Sequence, residues 1–436
     1  MTQAVSLSAG QTAAAPAPPV RGLFSNPEFL KLWAGQTVSL LGSQITGLAL
    51  PLTAALALEA SPTQMGVLNA ANTLPFLLVG LFAGVWVDRL RRRPILIAAD
   101  IGRGLLLALV PALAFAGALR IEALYAVALL AGICTVFFDV AYQSYLPALV
   151  SRQALVEGNS KLEISRSAVQ LAGPGLAGGL VSWLTAPIAI ALDAASYLLS
   201  AVFLVAIRTP EPEPTPAGTR RNVWREIKEG LAVVLGNPIL RSIAGCTGTS
   251  NLFSSMFFAV FLLYATRDLG ISPATLGVVF GIGSAGVLVG AAIAARAAKW
   301  LGFAGALICA ILLAAVGLLT QALAGSLLPI SPIAVGAALI AGQFLTSVGL
   351  PIYNVNQVSL RQAITPDHLL GRMNASVRFM IWGTMPIGAV IGGLLGERIG
   401  LQPTLFVGAA GGFLALLWLV LSPVRQIRSA ADVTAS

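Results

Sequence analysis

The sequence predicts an all-α membrane protein with twelve transmembrane helices, arranged as two six-helix pseudo-repeats. Of its 436 residues, 57% are hydrophobic and only 10% are charged, whereas soluble domains carry about 25% charged residues. The mean hydropathy is +0.87. Uncharged segments recur along the chain, and many reach the length of about 20 residues that a helix needs to cross a bilayer. Short motifs also recur at one fixed spacing, which predicts the repeat.

Apolar segments bounded by charged or turn-forming residues define the individual spans. The segment Trp300–Leu360 contains no acidic or basic residue and is interrupted by the sequence LPISP, which predicts two helices joined by a short turn. The predicted spans are residues 29–57, 62–87, 95–117, 122–145, 161–184, 187–207, 239–265, 272–296, 302–324, 332–354, 374–396 and 402–421.

The distribution of basic residues orients these spans. With the chain starting in the cytoplasm, all of the 26 lysines and arginines except Arg120, Arg267 and Arg398 fall on the inner side. The positive-inside rule therefore predicts a multi-pass protein of the cell membrane with both termini in the cytoplasm. The excess of basic residues on the inner side also explains the net charge of +9, so no nucleic-acid partner is predicted. The expected partner is the lipid bilayer.

Changes in composition divide the chain into five predicted regions. They are a disordered cytoplasmic tail at 1–24, an N-terminal six-helix bundle at 25–208, a cytoplasmic linker at 209–237, a C-terminal six-helix bundle at 238–424 and a cytoplasmic tail at 425–436. Within the linker, apolar residues at helical spacing from Val223 to Leu235 predict an amphipathic helix on the inner membrane surface. An ordinary soluble helix is the alternative.

The repeat supports this division into two bundles. Asn26-Pro27 recurs at Asn237-Pro238, and Ser61-Pro62 recurs at Ser272-Pro273, both at an offset of 211 residues. A parallel repeat of six spans relates two bundles by an axis along the membrane normal. The halves differ between their second and third spans, where Asp88 of the first half corresponds to Lys299 of the second.

A short charged loop lies between the second and third spans. The segment Gly84–Pro94, GVWVDRLRRRP, holds four arginines and one aspartate. The order Gly-x-x-x-Asp-Arg-x-x-Arg-Arg resembles the signature loop of the major facilitator superfamily, although Arg91 stands where that family usually has glycine. The resemblance implies the major facilitator fold and a cytoplasmic gate loop formed by Gly84, Asp88, Arg89, Arg92 and Arg93. By residue type alone, the loop could equally be a plain positive-inside anchor.

Further motifs resemble the exporter branch of that superfamily that includes enterobactin exporters and macrolide efflux pumps. They are Asp139-x-x-x-Gln143-x-x-x-Pro147 and Asp193-x-x-Ser196. The fifth span is similar to the glycine-proline signature of antiporters, with one extra residue before its paired glycines. There we expect close helix packing at Gly173, Gly178 and Gly179 and a bend at Pro174.

The sequence contains no set of residues typical of an enzyme. His368 is the single histidine, no metal or other cofactor is predicted, and no Gly-x-x-x-x-Gly-Lys phosphate loop occurs. We therefore expect a secondary transporter, monomeric, that exports amphipathic small molecules such as drugs, macrolides or siderophores by proton-coupled alternating access. An importer or symporter of a small polar nutrient is the alternative, and a receptor or membrane enzyme fits less well.

Polar residues within the spans are the candidates for the transport site. Cavity-lining side chains are predicted at Gln36, Gln44, Asn69, Gln143, Asn251 and Gln343. Structural charge pairs are predicted for Asp100 with Arg103 and for Glu163 with Arg166, because each pair is one helical turn apart.

Two unpaired acids within the spans, Asp139 and Asp193, are the candidates for proton coupling. Each could carry protons, bind substrate or serve structure alone. Asp139 is preferred because phenylalanine and valine flank it and it lies about six residues inside the fourth span. The resemblance to the major facilitator superfamily implies that the sixth span, which carries Asp193, packs away from the cavity.

Overall fold

The computed structural model describes residues 23–87, 89–151, 154–211, 223–366 and 369–427, and all regular secondary structure in these ranges is helical. The helices are α1 (Pro27–Leu52), α2 (Pro62–Leu78), α3 (Gly80–Val87), α4 (Arg92–Phe115), α5 (Ile121–Leu149), α6 (Leu155–Leu184), α7 (Ala186–Ala206), α8 (Val223–Gly236), α9 (Pro238–Leu263), α10 (Pro273–Leu323), α11 (Pro332–Ile364), α12 (Leu370–Ile399) and α13 (Leu401–Val420). Single π-helical turns extend α1 over Thr53–Ala57 and α9 over Tyr264–Asp268.

These helices form the twelve predicted spans. α2 and α3 together make the second span, while α10 makes the eighth and ninth. The two spans of α10 meet at Gly302, which has φ 73° and ψ 171°, a conformation in which any side chain would be strained. Nine helical segments in the described ranges are by themselves long and apolar enough to cross a membrane, and α10 lies within one of them. α8 is the additional helix, in the predicted linker.

The recurring sequence motifs are helix N-caps. The Asn26 side chain accepts hydrogen bonds from the backbone N–H groups of Glu28 and Phe29, at 3.0 and 3.3 Å. Asn237 does the same at the start of α9, at 2.9 and 3.1 Å. Ser61 and Ser272 cap α2 and α10 in the same manner. The repeat therefore preserves the residues that begin corresponding helices.

Two groups of helices pack around a common centre. In the first half, α1 contacts α5, α6 and α7, α2 contacts α5, and α4 contacts α5 and α7. In the second half, α9 contacts α12 and α13, and α10 contacts α11 and α13. Contacts of α2 with α12 and of α6 with α10 connect the halves. We call the end of the bundle where α1 begins the near end, and the opposite end, where α1 is connected to α2, the far end.

The amphipathic helix differs in one respect from the prediction. Its existence is confirmed as α8, but Val234 is fully buried and packs in a cluster with Met373 and Val377 of α12. Glu229 also pairs with Arg372 at 2.6 Å. This face of α8 is therefore covered by protein rather than by lipid, because α12 offers it both an apolar surface and an opposite charge.

Candidate functional site: a central cavity and a buried charge cluster

A cavity of about 500 Å³ lies between the two halves. Its polar wall comes mainly from α1 and α2, with the amides of Gln36, Asn69 and Asn72 and several hydroxyl groups. Its far-end wall is apolar. The residues of α9 and α10 in that wall are Phe258, Ala259, Phe261, Leu262 and Phe280. The cavity thus offers hydrogen-bonding groups on one side and aromatic surface on the other.

The predicted lining residues divide into two groups. Gln36 and Asn69 line the cavity as predicted. Asn251 instead donates a hydrogen bond to the Ile381 carbonyl at 3.2 Å, and Gln143 is exposed without lining the cavity.

Gln44 and Gln343 also differ from the prediction, since both fill gaps beside glycines. A Cβ added to Gly173 would lie 2.8 Å from Gln44 Cβ, and one added to Gly283 would lie 2.6 Å from Gln343 Cβ. Neither glutamine lines the cavity. These long side chains occupy spaces between helices that only a glycine leaves open.

Arg103 of α4 is the centre of the charged part of the site. It forms an ion pair with Asp100, as predicted. Its guanidinium carbon also lies 4.2 Å from the centroid of the Phe138 ring and 4.1 Å from that of Tyr197. Both distances are within the range of cation–π attraction, so the cation is held between two aromatic rings at the cavity wall.

The second predicted pair is absent. Within the part of the chain that the structure describes, Glu163 and Arg166 form no ion pair with each other, and both side chains are exposed. Arg166 interacts electrostatically with Asp139, which lines the cavity. An ion pair between two exposed side chains one turn apart contributes little to stability. The carboxylate of Asp139 forms no ion pair within the described residues and so remains available to Arg166.

The two candidate acids have opposite environments. Asp139 lines the cavity and is exposed. Asp193 also lines the cavity but is fully buried. One of its carboxyl oxygens accepts a hydrogen bond from Ser196 Oγ at 3.0 Å, and the Thr46 hydroxyl group of α1 also interacts with this carboxyl group. The expectation that the sixth span packs away from the cavity is therefore wrong for the part that carries Asp193.

Two glycines of α1 explain how Asp193 reaches the cavity. A Cβ at Gly42 would lie 2.2 Å from an Asp193 carboxyl oxygen, and one at Gly35 would lie 3.2 Å from Phe203 Cβ. Both glycines face α7 and are seven residues apart, which places them on one side of the helix. Gly42 is not among the residues predicted from the sequence, although the seven-residue spacing of these glycines is a signal that could have revealed it.

The charged loop after α3 contacts the end of α7 and the start of the linker. Gly84 lies in α3, and Asp88 lies outside the described residues. The backbone N–H groups of Arg92 and Arg93 donate to the Glu211 carboxylate at 2.6 and 3.1 Å. The carboxylate thus binds the N-terminus of α4, where helix dipoles favour negative charge. Sequence reasoning missed Glu211, which lies in a proline-rich stretch.

The arginine side chains of this loop differ in their contacts. Arg93 donates to the carbonyls of Leu204 and Val205, at 3.0 and 2.6 Å. Arg89 is exposed in the turn after α3. Arg93 therefore attaches the loop to the near end of α7 in its own half.

The predicted packing glycines have different neighbours. A Cβ at Gly178 would lie 2.6 Å from Gly277 Cα, so α6 and α10 approach closely there, whereas Gly179 faces open space. Pro174 lies inside α6. Of the two paired glycines, only Gly178 is required by the contact between the halves.

Charged residues of the second half hold the far end closed. Arg267, at the end of α9, donates to the carbonyls of Ala55 and Ala60, at 3.3 and 2.9 Å. Glu397 of α12 accepts from Ser61 Oγ and from the Thr63 N–H, at 3.2 and 3.3 Å. We call Arg267 and Glu397 with these partners the far-end clasp, because each of its hydrogen bonds crosses between the halves.

We expect Arg267→Gln to make the cavity more accessible from the far end. The change removes two hydrogen bonds, each worth about 0.5–1.5 kcal/mol, which together correspond to roughly a 5- to 150-fold rise in labelling. The measurement is the rate at which an impermeant thiol reagent labels Leu50→Cys, a cavity residue, in a background without the three native cysteines.

Arg398→Gln is the matched control, since Arg398 lies at the same end, is exposed and has no partner in the described ranges. A single cysteine at position 120 should label from outside in every variant. Equal labelling of Leu50→Cys in the Arg267 and Arg398 variants would show that the clasp does not hold the far end closed.

Twelve spans in two halves, with a cavity between them that is closed at one end, define a membrane transporter. Comparison with known families agrees: a sequence profile of the Major Facilitator Superfamily matches residues 32–320 and 243–435. The chain belongs to the Major Facilitator Superfamily. It is therefore a multi-pass transporter rather than an enzyme.

Its relatives include named efflux pumps. The chain is 28% identical over 386 residues to the multidrug efflux pump Tap of Mycolicibacterium fortuitum, covering 87% of this chain and 91% of Tap. It is 25% identical over 408 residues to macrolide efflux protein A of Streptococcus pyogenes, covering 92% and 96%. A bacterial homologue of the iron transporter ferroportin, in its inward-facing state, superposes with a TM-score of 0.71 at 17% identity, covering 92% and 99%. The last comparison concerns the fold alone.

Proposed function

We propose that the protein exports amphipathic small molecules, such as drugs, macrolides or siderophores, by proton-coupled alternating access. The observation that carries the proposal is the cavity, which places amide and hydroxyl groups opposite phenylalanine side chains. Its volume of about 500 Å³ lies in the range of sites for drug-sized ligands. The relatives named as multidrug and macrolide efflux proteins support the same direction of transport.

The charge of the cavity argues against a small anionic nutrient. Arg103 is the one cation among the described lining residues, and it already pairs with Asp100. The lining acids Asp139 and Asp193 leave the site with an excess of carboxyl groups. Such a site favours neutral or cationic amphipathic molecules over carboxylates and phosphates.

The near end faces the cytoplasm in this proposal, and both termini lie there, in the cell membrane. Contacts between the halves lie at the far end or near mid-depth of the bundle. They are the far-end clasp, the approach of Gly178 to Gly277, and the rings of Phe76 and Trp382, whose centroids are 4.7 Å apart. The cavity meanwhile extends toward the near end as far as Gln36 and Asp139. We therefore assign the structure to an inward-facing state of a monomer, in which residues 25–208 and 238–424 are the two moving bundles.

The gate loop is proposed to act when the near end closes. Gly84, Asp88, Arg89, Arg92 and Arg93 then contact the second half, mainly from the first-half side because Lys299 replaces the second aspartate. In the inward-facing state Arg92 and Arg93 bind Glu211 and the end of α7, which leaves the near end open.

Expression in a drug-sensitive bacterial host tests the function. Wild type should raise the inhibitory concentration of a macrolide or of ethidium above that of the same host without the protein. Asp88→Asn should lose this protection at equal expression, because it removes one charge from the gate loop without changing its volume.

Lys299→Gln is the matched control and should keep most of the protection. Greater sensitivity of the wild-type strain, with faster uptake of labelled compound, would favour an importer. If cells with and without the protein show the same resistance to a broad panel of toxic compounds and the same siderophore export, the export proposal has no support.

A further inference from the structure

Three carboxyl groups lie around a single guanidinium in the first half. Arg103 pairs with Asp100 and interacts electrostatically with both Asp139 and Asp193. The rings that hold Arg103 come from the same two helices as the other acids: Phe138 precedes Asp139 on α5, and Tyr197 follows Asp193 by one turn on α7. The two acids that the sequence offers as alternatives therefore share one cation.

The charges of this cluster do not balance when every group is ionised. Three carboxylates and one guanidinium carry two excess negative charges, and burying such an excess is costly. Asp100 has the ion pair, and Asp139 is exposed to the cavity. Asp193 has neither, since it is fully buried and forms no ion pair within the described residues. The partners of its carboxyl group are the hydroxyl groups of Ser196 and Thr46, which carry no charge.

We propose that Asp193 is the carboxyl group that binds the exchanging proton, and that Arg103 is its positioning residue. This inference rests on the proposed proton coupling and specifies its site. In the inward-facing structure Asp193 is neutral and Arg103 binds Asp100. When Asp193 releases its proton to the cavity water beside Asp139, the new carboxylate attracts Arg103 away from Asp100.

This exchange of ion-pair partners by Arg103 alters contacts of the helix that forms the polar wall of the cavity. Tyr197, which stacks on Arg103, is hydrogen-bonded to Ser43 of α1 at 2.8 Å. Gly42 of α1 lies directly against Asp193 and Ser196. A shift of Arg103 between α4 and α7 therefore changes the contacts of α1, the helix that supplies much of the polar cavity wall.

Asp139 takes a different role in this scheme. It is exposed at the cavity mouth and interacts electrostatically with Arg166 of α6 and Arg378 of α12 as well as with Arg103. Water and these cations can stabilise its negative charge without a proton. Asp139 is then the acid that meets the substrate or the departing proton.

The pH response of Asp193 depends on the charged groups of every helix that packs around it. α7 packs against α1, α4 and α6. The charged and titratable groups that act on Asp193 are Asp100 and Arg103 of α4 and Tyr197 of α7. Cys134 and Asp139 interact with Arg103 instead, and Arg166 and Arg378 interact with Asp139. α1 contributes hydroxyl groups but no charge at this depth. The carboxyl groups among them are the aspartates, and a carboxyl group ordinarily releases its proton more readily than a thiol, a phenol or a guanidinium.

Proteoliposomes containing the full chain and labelled erythromycin test the proposal. Asp193→Asn imitates the protonated carboxyl group in size and charge. We expect it to lose the part of the flux that an imposed pH gradient drives. Exchange of erythromycin across the membrane at equal pH should continue, because that step needs no proton.

Asp193→Glu should restore part of the gradient-driven flux, and Asp139→Asn should weaken exchange as well as gradient-driven flux. Full response of Asp193→Asn to the gradient would overturn the assignment. If wild type moves erythromycin but ignores the gradient, proton coupling itself fails. If wild type moves no erythromycin, the export proposal fails for this class of substrate.

A readout without substrate separates these cases further. The labelling rate of Gln36→Cys is measured at several pH values, with Asp193 present and in the Asp193→Asn background. Dividing the first rate by the second removes the pH dependence of the thiol itself. We expect this ratio to change with pH when Asp193 is present, since its charge alters the packing of α1. A constant ratio would contradict the proposal even if no substrate is known.

Discussion

Replacing Gly178 by valine should abolish transport without preventing insertion of the protein into the membrane. A Cβ at this position would lie 2.6 Å from both Gly277 Cα and the Pro273 carbonyl oxygen. These are backbone atoms, so the clash can be relieved only by separating α6 from α10. Overpacking of this kind costs about 1–3 kcal/mol, which is enough to shift the far-end equilibrium by about 5- to 150-fold.

The measurement is export activity together with thiol labelling of Leu50→Cys from outside. Activity should fall to that of cells without the protein, and labelling should rise because the far end no longer closes. Gly179→Val is a closely matched control: the same substitution one residue later faces open space and should leave both quantities near wild type.

Gly277→Val provides the reciprocal test, since its Cβ would lie 2.8 Å from Gly178 Cα. It should reproduce the effect of Gly178→Val from the opposite helix. Full transport by either variant would show that α6 and α10 need not approach to this distance during the cycle.

The second large effect is expected for Arg103→Gln, measured as thermal stability of the purified protein in detergent. The variant leaves Asp100 buried without its cation. Removing one partner of a buried ion pair costs about 3–5 kcal/mol. The loss of cation–π contact with Phe138 and Tyr197 adds to this, so a marked decrease in the unfolding temperature is expected.

The double variant Arg103→Gln with Asp100→Asn tests whether the loss of stability comes from breaking the ion pair or from any change at this site. It removes both charges, so its loss of stability should be smaller than the sum of the two single losses. Asp100→Asn alone should be milder than Arg103→Gln, because Asp139 remains as a charged partner for the arginine. An unchanged unfolding temperature for Arg103→Gln would contradict a buried, paired cation.

The sequence determined the features that depend on neighbours along the chain. Length and lack of charge predict the spans, and the caps at Asn26 and Asn237 begin corresponding helices because each side chain binds N–H groups two and three residues ahead. The Asp100–Arg103 pair is also local, one turn apart on one helix.

The tertiary structure alone decided which side of each helix meets the cavity. Gln44 and Gln343 face glycines of neighbouring helices, and Asp193 reaches the cavity because Gly42 leaves space for it. The far-end clasp joins Thr63 to Glu397, 334 residues apart. Such contacts depend on how each helix is rotated about its axis and how closely it approaches its neighbours. Apolar spans of similar composition do not specify this rotation, which is set where small residues of two helices pack together.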